Sequence, residues 1–67
     1  MERYWVWGSD KHLAAMIHEL DEAVDIAPVH DGHIERESDH FVSCNGQLWA
    51  KDLSSLEAVA GQFVSAN

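Results

Sequence analysis

The sequence predicts an α+β fold with the order β-α-β-β-β-α, two helices packed on one face of a small antiparallel sheet. Three observations carry that expectation. Two windows, one in each half of the chain, hold apolar residues at helical spacing. Short aromatic and β-branched runs precede and separate them. Asp-Gly and Asn-Gly dipeptides stand where hairpin turns belong.

Tyr4-Trp5-Val6-Trp7, closed by Gly8, reads as the first strand, apolar on both faces. Ser9 or Asp10 can cap the helix that follows. Leu13, Ile17, Leu20 and Val24, joined by Met16, place that helix over about residues 10–25. Pro28 ends it. Residues 27–30, the Asp31-Gly32 turn and residues 33–35 form a small hairpin, with Val29 opposite Ile34 and His30 opposite His33. A stronger hairpin is centred on Asn45-Gly46. Its two-residue turn pairs Val42 with Trp49 and Phe41 with Ala50. Ser54 and Glu57 then make a capping box. The last helix carries the stripe Leu56, Val59, Ala60, Phe63 and Val64, weakened at Gly61 by about 1 kcal/mol relative to Ala.

A chain of 67 residues is expected to be one compact domain, 1–67. At this size only about 60% of the unfolded surface is buried, so stability is marginal without help. The lone Cys44 excludes an intrachain disulfide and suits a reducing compartment. The N-terminus lacks the pattern of a signal peptide, and no apolar run approaches the roughly 20 residues of a membrane span. A soluble, cytoplasmic protein is expected.

The charge is concentrated. Of the formal net charge of −8, residues 19–39 contribute −7, from Glu19, Asp21, Glu22, Asp25, Asp31, Glu35, Glu37 and Asp39 against Arg36 alone. This balance argues against direct contact with nucleic acid or an anionic membrane. The ordinary reason for such a run is a solvated face. A helix over 10–25 would put Glu19, Asp21, Glu22 and Asp25 in its C-terminal half, where the dipole disfavours each by about 0.3–1 kcal/mol. A stretch that gives up stability in this way points to a surface for a basic partner.

Five histidines and Cys44 raise a metal-binding alternative, centred on His30 and His33. On one strand His40 and Cys44 stand about 13 Å apart, too far to share an ion. No CxxC or HExxH motif accompanies them. Neighbouring carboxylates are expected to raise the histidine pKa values. No phosphate-cradling loop or nucleophile elbow is present, so an enzyme is not expected, nor any cofactor. Trp5, Trp7 and Trp49 exceed what a small two-layer core readily encloses, which suggests an interface role for at least one of them.

The expected function is a non-enzymatic acidic protein-binding module. Its most concrete form is a small inhibitor occupying the basic surface of a nucleic-acid-binding protein, with carboxylates where phosphates would lie. In size and charge alone the chain is similar to the small acidic inhibitors that phages encode, anti-CRISPR proteins among them. The alternative is a structural homodimer joined through an aromatic sheet face. The candidate partner-binding residues are the eight carboxylates with Trp5, Trp7 and Trp49.

Overall fold

The computed structural model describes the backbone of residues 1–65 and the side chains of residues 1–59. The strands are β1 (Tyr4–Trp7), β2 (Leu13–Ile17), β3 (His33–Arg36) and β4 (Val42–Ser43). The helices are α1 (Leu20–Ile26), continued by a 3₁₀ turn (Ala27–His30), and α2 (Leu53–Ser65). The fold is α+β, with one antiparallel sheet in the order β2-β1-β3-β4. The element order is β-β-α-β-β-α, where β-α-β-β-β-α was expected.

The difference lies in residues 10–19. They do not open a long helix. Gly8 to His12 fold into a turn, closed by Gly8 N donating to the His12 carbonyl and by Lys11 in the left-handed region at φ 68°. Residues 13–17 then pair with β1, setting Tyr4 against Ile17, Trp5 against Met16 and Val6 against Ala15. The segment Leu-Ala-Ala-Met-Ile satisfies either period over five residues. Pairing with the aromatic β1 decides between them, because tertiary context outweighs a weak local propensity.

Asp31-Gly32 closes no hairpin. The 3₁₀ turn tolerates Pro28 near its start, where the missing amide would have no partner. It ends with Asp31 at φ 56°, Asp31 N donating to the Pro28 carbonyl and Gly32 N to the Ala27 carbonyl. That pair of bonds is a Schellman-type helix stop. Gly32 is required by proximity: a Cβ there would lie 1.7 Å from the Trp7 carbonyl oxygen.

The tight hairpin is instead β3–β4. Ile34 faces Ser43 and Glu35 faces Val42, and the loop closes with His40 at φ 62°. Around Asn45-Gly46 the chain makes a wider loop, and Val42 pairs with Ala50 rather than Trp49. Side chains build this loop. The buried Ser43 Oγ accepts from Gly46 N at 2.8 Å, and Asn45 Oδ1 accepts from Gln47 N at 2.9 Å and Leu48 N at 3.0 Å. Of the pair Asn45-Gly46 only Gly46 takes a positive φ, 77°, and it packs against Val24 and Leu20 of α1. The dipeptide therefore turns the chain over α1.

Two cores result. Val6, Ile17, Ile34, Ala23 and Ala27 are buried between the sheet and α1, with Tyr4 and Trp49 packed at the margin. Val42, Ala50 and Leu56 form a second cluster under α2. Since Val42 is opposite Glu35, and Ile34 opposite Ser43, Val42 shares its face with Glu35 and not with Ile34. The helices therefore lie on opposite faces, α1 under β1–β3 and α2 over β4, and not on the one face expected. Asp52 rather than Ser54 caps α2, its Oδ1 accepting from Ser55 N at 2.7 Å. Leu56 of the expected stripe is buried and Val59 half-buried. Ala60, Phe63 and Val64 lie outside the described side chains. Among the described residues no helix is long and apolar enough to cross a membrane.

Candidate functional site

The short α1 reverses the dipole argument for the acidic block. Glu19 is the N-cap residue, and Asp21 and Glu22 sit in the first turn, where negative charge is favoured. Only Asp25 lies toward the negative end. Most of the expected loss of stability is therefore absent. The exposure is real, however. Glu19, Asp21, Glu22 and Asp25 are all exposed, and among the described residues none forms an ion pair. Asp31 is likewise exposed at the helix stop.

Glu35, Glu37 and Asp39 behave differently, because each is engaged within the chain. Asp39 holds Arg36 through two bonds, Nε to Oδ1 at 3.1 Å and Nη2 to Oδ2 at 2.7 Å. The Arg36 guanidinium lies 4.4 Å from the Trp49 ring centroid and 5.9 Å from that of Phe41. Hydrogen bonding from Arg36 lowers the Asp39 pKa, and Asp39 raises that of Arg36. Glu35 and Glu37 lie on the other face, opposite the indoles of β1. Trp7 Nε1 donates to Glu35 Oε1 at 2.9 Å, and Trp5 Nε1 donates to Glu37 Oε2 at 3.1 Å. His40 Nδ1 meets Glu35 Oε2 at 2.8 Å, and Arg3 Nη2 meets Glu37 Oε1 at 2.6 Å.

The register explains this arrangement. Trp5 pairs with Glu35 and Trp7 with His33. Each indole leans one diagonal position along β3, from Trp7 to Glu35 and from Trp5 to Glu37. A W-x-W on one strand and an E-x-E beginning on its neighbour share a face by the two-residue period. Trp5, Trp7, Glu35, Glu37 and His40 line a groove of about 230 Å³ there. Met16 and Leu13 extend the same face, 44% and 43% exposed. Trp49 does not join them. It packs on Tyr4, on the α1 side, with ring centroids 6.4 Å apart. The roles of His40 and Arg3 were not read from the sequence. The paired W-x-W and E-x-E spacing was the signal available for the groove.

His30 is exposed at the end of the 3₁₀ turn, and His33 is half-buried beside Trp7. Burial lowers the His33 pKa, while the charge of Glu35 pulls it upward more weakly. The expected rise is therefore reversed at this position, because desolvation of the imidazolium outweighs the neighbouring carboxylate. His33 and Cys44 line a second depression of about 340 Å³, between Gly32 and the start of α2. The thiol is free and exposed. Among the described residues no three His, Cys, Asp or Glu side chains are grouped to hold a metal ion.

No protein-family model matches the chain, and neither the curated proteins nor the solved structures contain a match. The functional reading therefore rests on the geometry.

Proposed function

We propose that this chain is a non-enzymatic protein-binding module whose acidic α1 docks on the basic surface of a partner, in the manner of a small inhibitor of a nucleic-acid-binding protein. One observation carries the reading. Glu19, Asp21, Glu22 and Asp25 stand exposed within seven residues, with no ion pair among the described residues. A partner's Lys or Arg can approach them without displacing an internal cation. Glu22 and Asp25, and Asp21 and Asp25, are three and four residues apart, a spacing that puts Cβ atoms about 5–6 Å apart on one helix face and makes a dense anionic stripe. Such a stripe steers a basic partner and fixes its orientation more than it adds raw affinity.

The homodimer alternative uses the Trp5–Trp7 face, which α1 does not cover. Trp49 cannot take part in it, because it lies on the other face. Each copy would also bring a formal charge of −8 to the contact. Charge therefore favours a basic partner over a second copy.

The experiment is affinity capture of basic proteins from a cell lysate, with the wild type and with a quadruple variant, E19Q/D21N/E22Q/D25N. Circular dichroism confirms that both are folded. The expected result is a set of basic proteins retained by the wild type, released by moderate salt and lost with the variant. Equal capture by both proteins, or no basic protein captured by either, overturns the reading.

A further inference from the structure

We infer that the groove between Trp5, Trp7, Glu35, Glu37 and His40 is a binding site for an arginine side chain presented by another protein. This goes beyond the α1 reading. The groove and α1 are on opposite faces of the sheet, so one flat partner surface cannot cover both.

Volume comes first. About 230 Å³ is smaller than the roughly 300–1,000 Å³ of small-molecule pockets and suits a single long side chain. Its walls are two half-buried indoles, and its polar groups are two carboxylates, which accept, and the His40 imidazole, whose Nδ1 donates to Glu35. Apolar walls with an anionic rim complement a side chain that has an apolar stem and a cationic head.

The carboxylates retain acceptor capacity. A carboxylate offers about four lone-pair sites, and each of these two has two contacts. Each indole N–H donates to a carboxylate, which fixes the ring and enriches its π-face. Both effects favour a cation resting on the indole.

The chain supplies its own precedent. On the opposite face, Arg36 rests 4.4 Å from the Trp49 centroid and is held by both oxygens of Asp39. An indole and a carboxylate there form a complete guanidinium site. The groove repeats those components. Arg3 already reaches Glu37 from the groove's end, so a guanidinium is compatible with the local field. Arginine is preferred over lysine because its planar, weakly hydrated head stacks on an indole and bonds a carboxylate through two donors.

The test is a titration of the intact chain with N-acetyl-L-argininamide, reading the indole N–H resonances of the three tryptophans by NMR. The citrulline analogue, equal in shape but uncharged, is the control. The expected result is a saturable shift of the Trp5 and Trp7 signals, with Trp49 unmoved. Citrulline should bind about two- to fivefold more weakly, the scale of one exposed charge contact. E35Q/E37Q keeps acceptors for both indoles, removes the charge, and should weaken the arginine titration by a similar factor. Equal response to arginine and citrulline overturns the inference. So does an equal shift of all three indoles, or a titration unchanged in E35Q/E37Q. A Trp5 and Trp7 shift that depends on protein concentration, with a dimer in ultracentrifugation, assigns the face to a second copy and also overturns it. The titration involves neither α1 nor its partner, so its failure leaves the α1 reading to be decided by capture.

Discussion

Asp21 and Asp25 differ by one helical turn, and their replacement by Asn should change stability in different directions. Asp21 is in the first turn of α1, where the dipole favours a carboxylate by about 0.3–1 kcal/mol. Against this stands one like-charge neighbour at i+4, Asp25, costing about 0.2–0.5 kcal/mol. The D21N change therefore loses about 0.3 kcal/mol on balance. Asp25 sits at the other end. There the dipole opposes it by a similar about 0.3–1 kcal/mol, and both Asp21 and Glu22 repel it. The D25N change should gain about 1.3 kcal/mol. The two variants share side-chain chemistry and net charge, so bulk effects cancel in their difference of about 1.6 kcal/mol. For a domain of this size that separates the melting temperatures by roughly 10 °C at low salt. Thermal unfolding followed by circular dichroism measures it. If α1 began near residue 10, both carboxylates would oppose the dipole and both changes would stabilise. A D21N protein as stable as D25N refutes the α1 boundaries and the electrostatic reading built on them.

Gly32→Ala should destabilise severely, at or above the roughly 1–3 kcal/mol of ordinary overpacking. The new Cβ meets the rigid Trp7 carbonyl at 1.7 Å, whereas at Gly8→Ala it crowds only the movable Asp10 carboxylate, with the His30 carbonyl at an ordinary 3.6 Å, and should be milder; urea midpoints compare the two. Asp52→Ala should lower the melting temperature while Ser54→Ala leaves it nearly unchanged, since Asp52 makes the cap bond to Ser55 N. Burial holds His33 below its ordinary 6.5, so the unfolded chain binds its proton more tightly. Stability should be full above that pH and fall as pH drops through it, a fall that His33→Gln removes in urea titrations. Below the ordinary Asp value of 3.8 a further loss should follow as Asp39 and Asp52, both held low by hydrogen bonds, protonate. Raising salt should stabilise the wild type, because unpaired α1 carboxylates outnumber the arginine pairs that screening weakens; E19Q/D21N/E22Q/D25N should respond much less.

The fold class was legible because it depends on counts and periods that survive local error. Tyr4-Trp5-Val6-Trp7 is a strand with few alternatives, and Leu56 marks a helix face clearly. The failures share a cause. Leu13 to Ile17 fit two periods at once, and only the partner strand decides. Asp31-Gly32 and Asn45-Gly46 share the composition of hairpin turns, yet each has one positive φ, not two. What sets their geometry is distant: the Trp7 carbonyl beside Gly32, and Val24 and Leu20 beside Gly46. A dipeptide preference cannot contain that information. The groove was half legible. Its rings and carboxylates were each singled out, but their union needed the β1–β3 register.

That register also changes the meaning of the acidic stretch. Eight carboxylates within 21 residues look like one feature in the sequence. Folded, they divide by function of position. Glu35, Glu37 and Asp39 each hold an indole or a guanidinium of the same chain, and so help to fix the hairpin and β1. Truncating them to Ala, which removes the acceptor as well as the charge, should disturb structure as well as recognition. The α1 carboxylates hold no such group. Two of them gain from the dipole, so their presence needs no appeal to sacrificed stability. The case for α1 as a docking surface rests on a different ground: its charge is uncommitted. A partner cation at α1 gains attraction without replacing an internal one. At Glu35 a cation must share the carboxylate with Trp7 and His40, and it gains there only by resting on the indoles as well. The first site suits long-range attraction and the second suits recognition of one side chain, which is why a lysate and a single amino-acid amide are the appropriate probes for each.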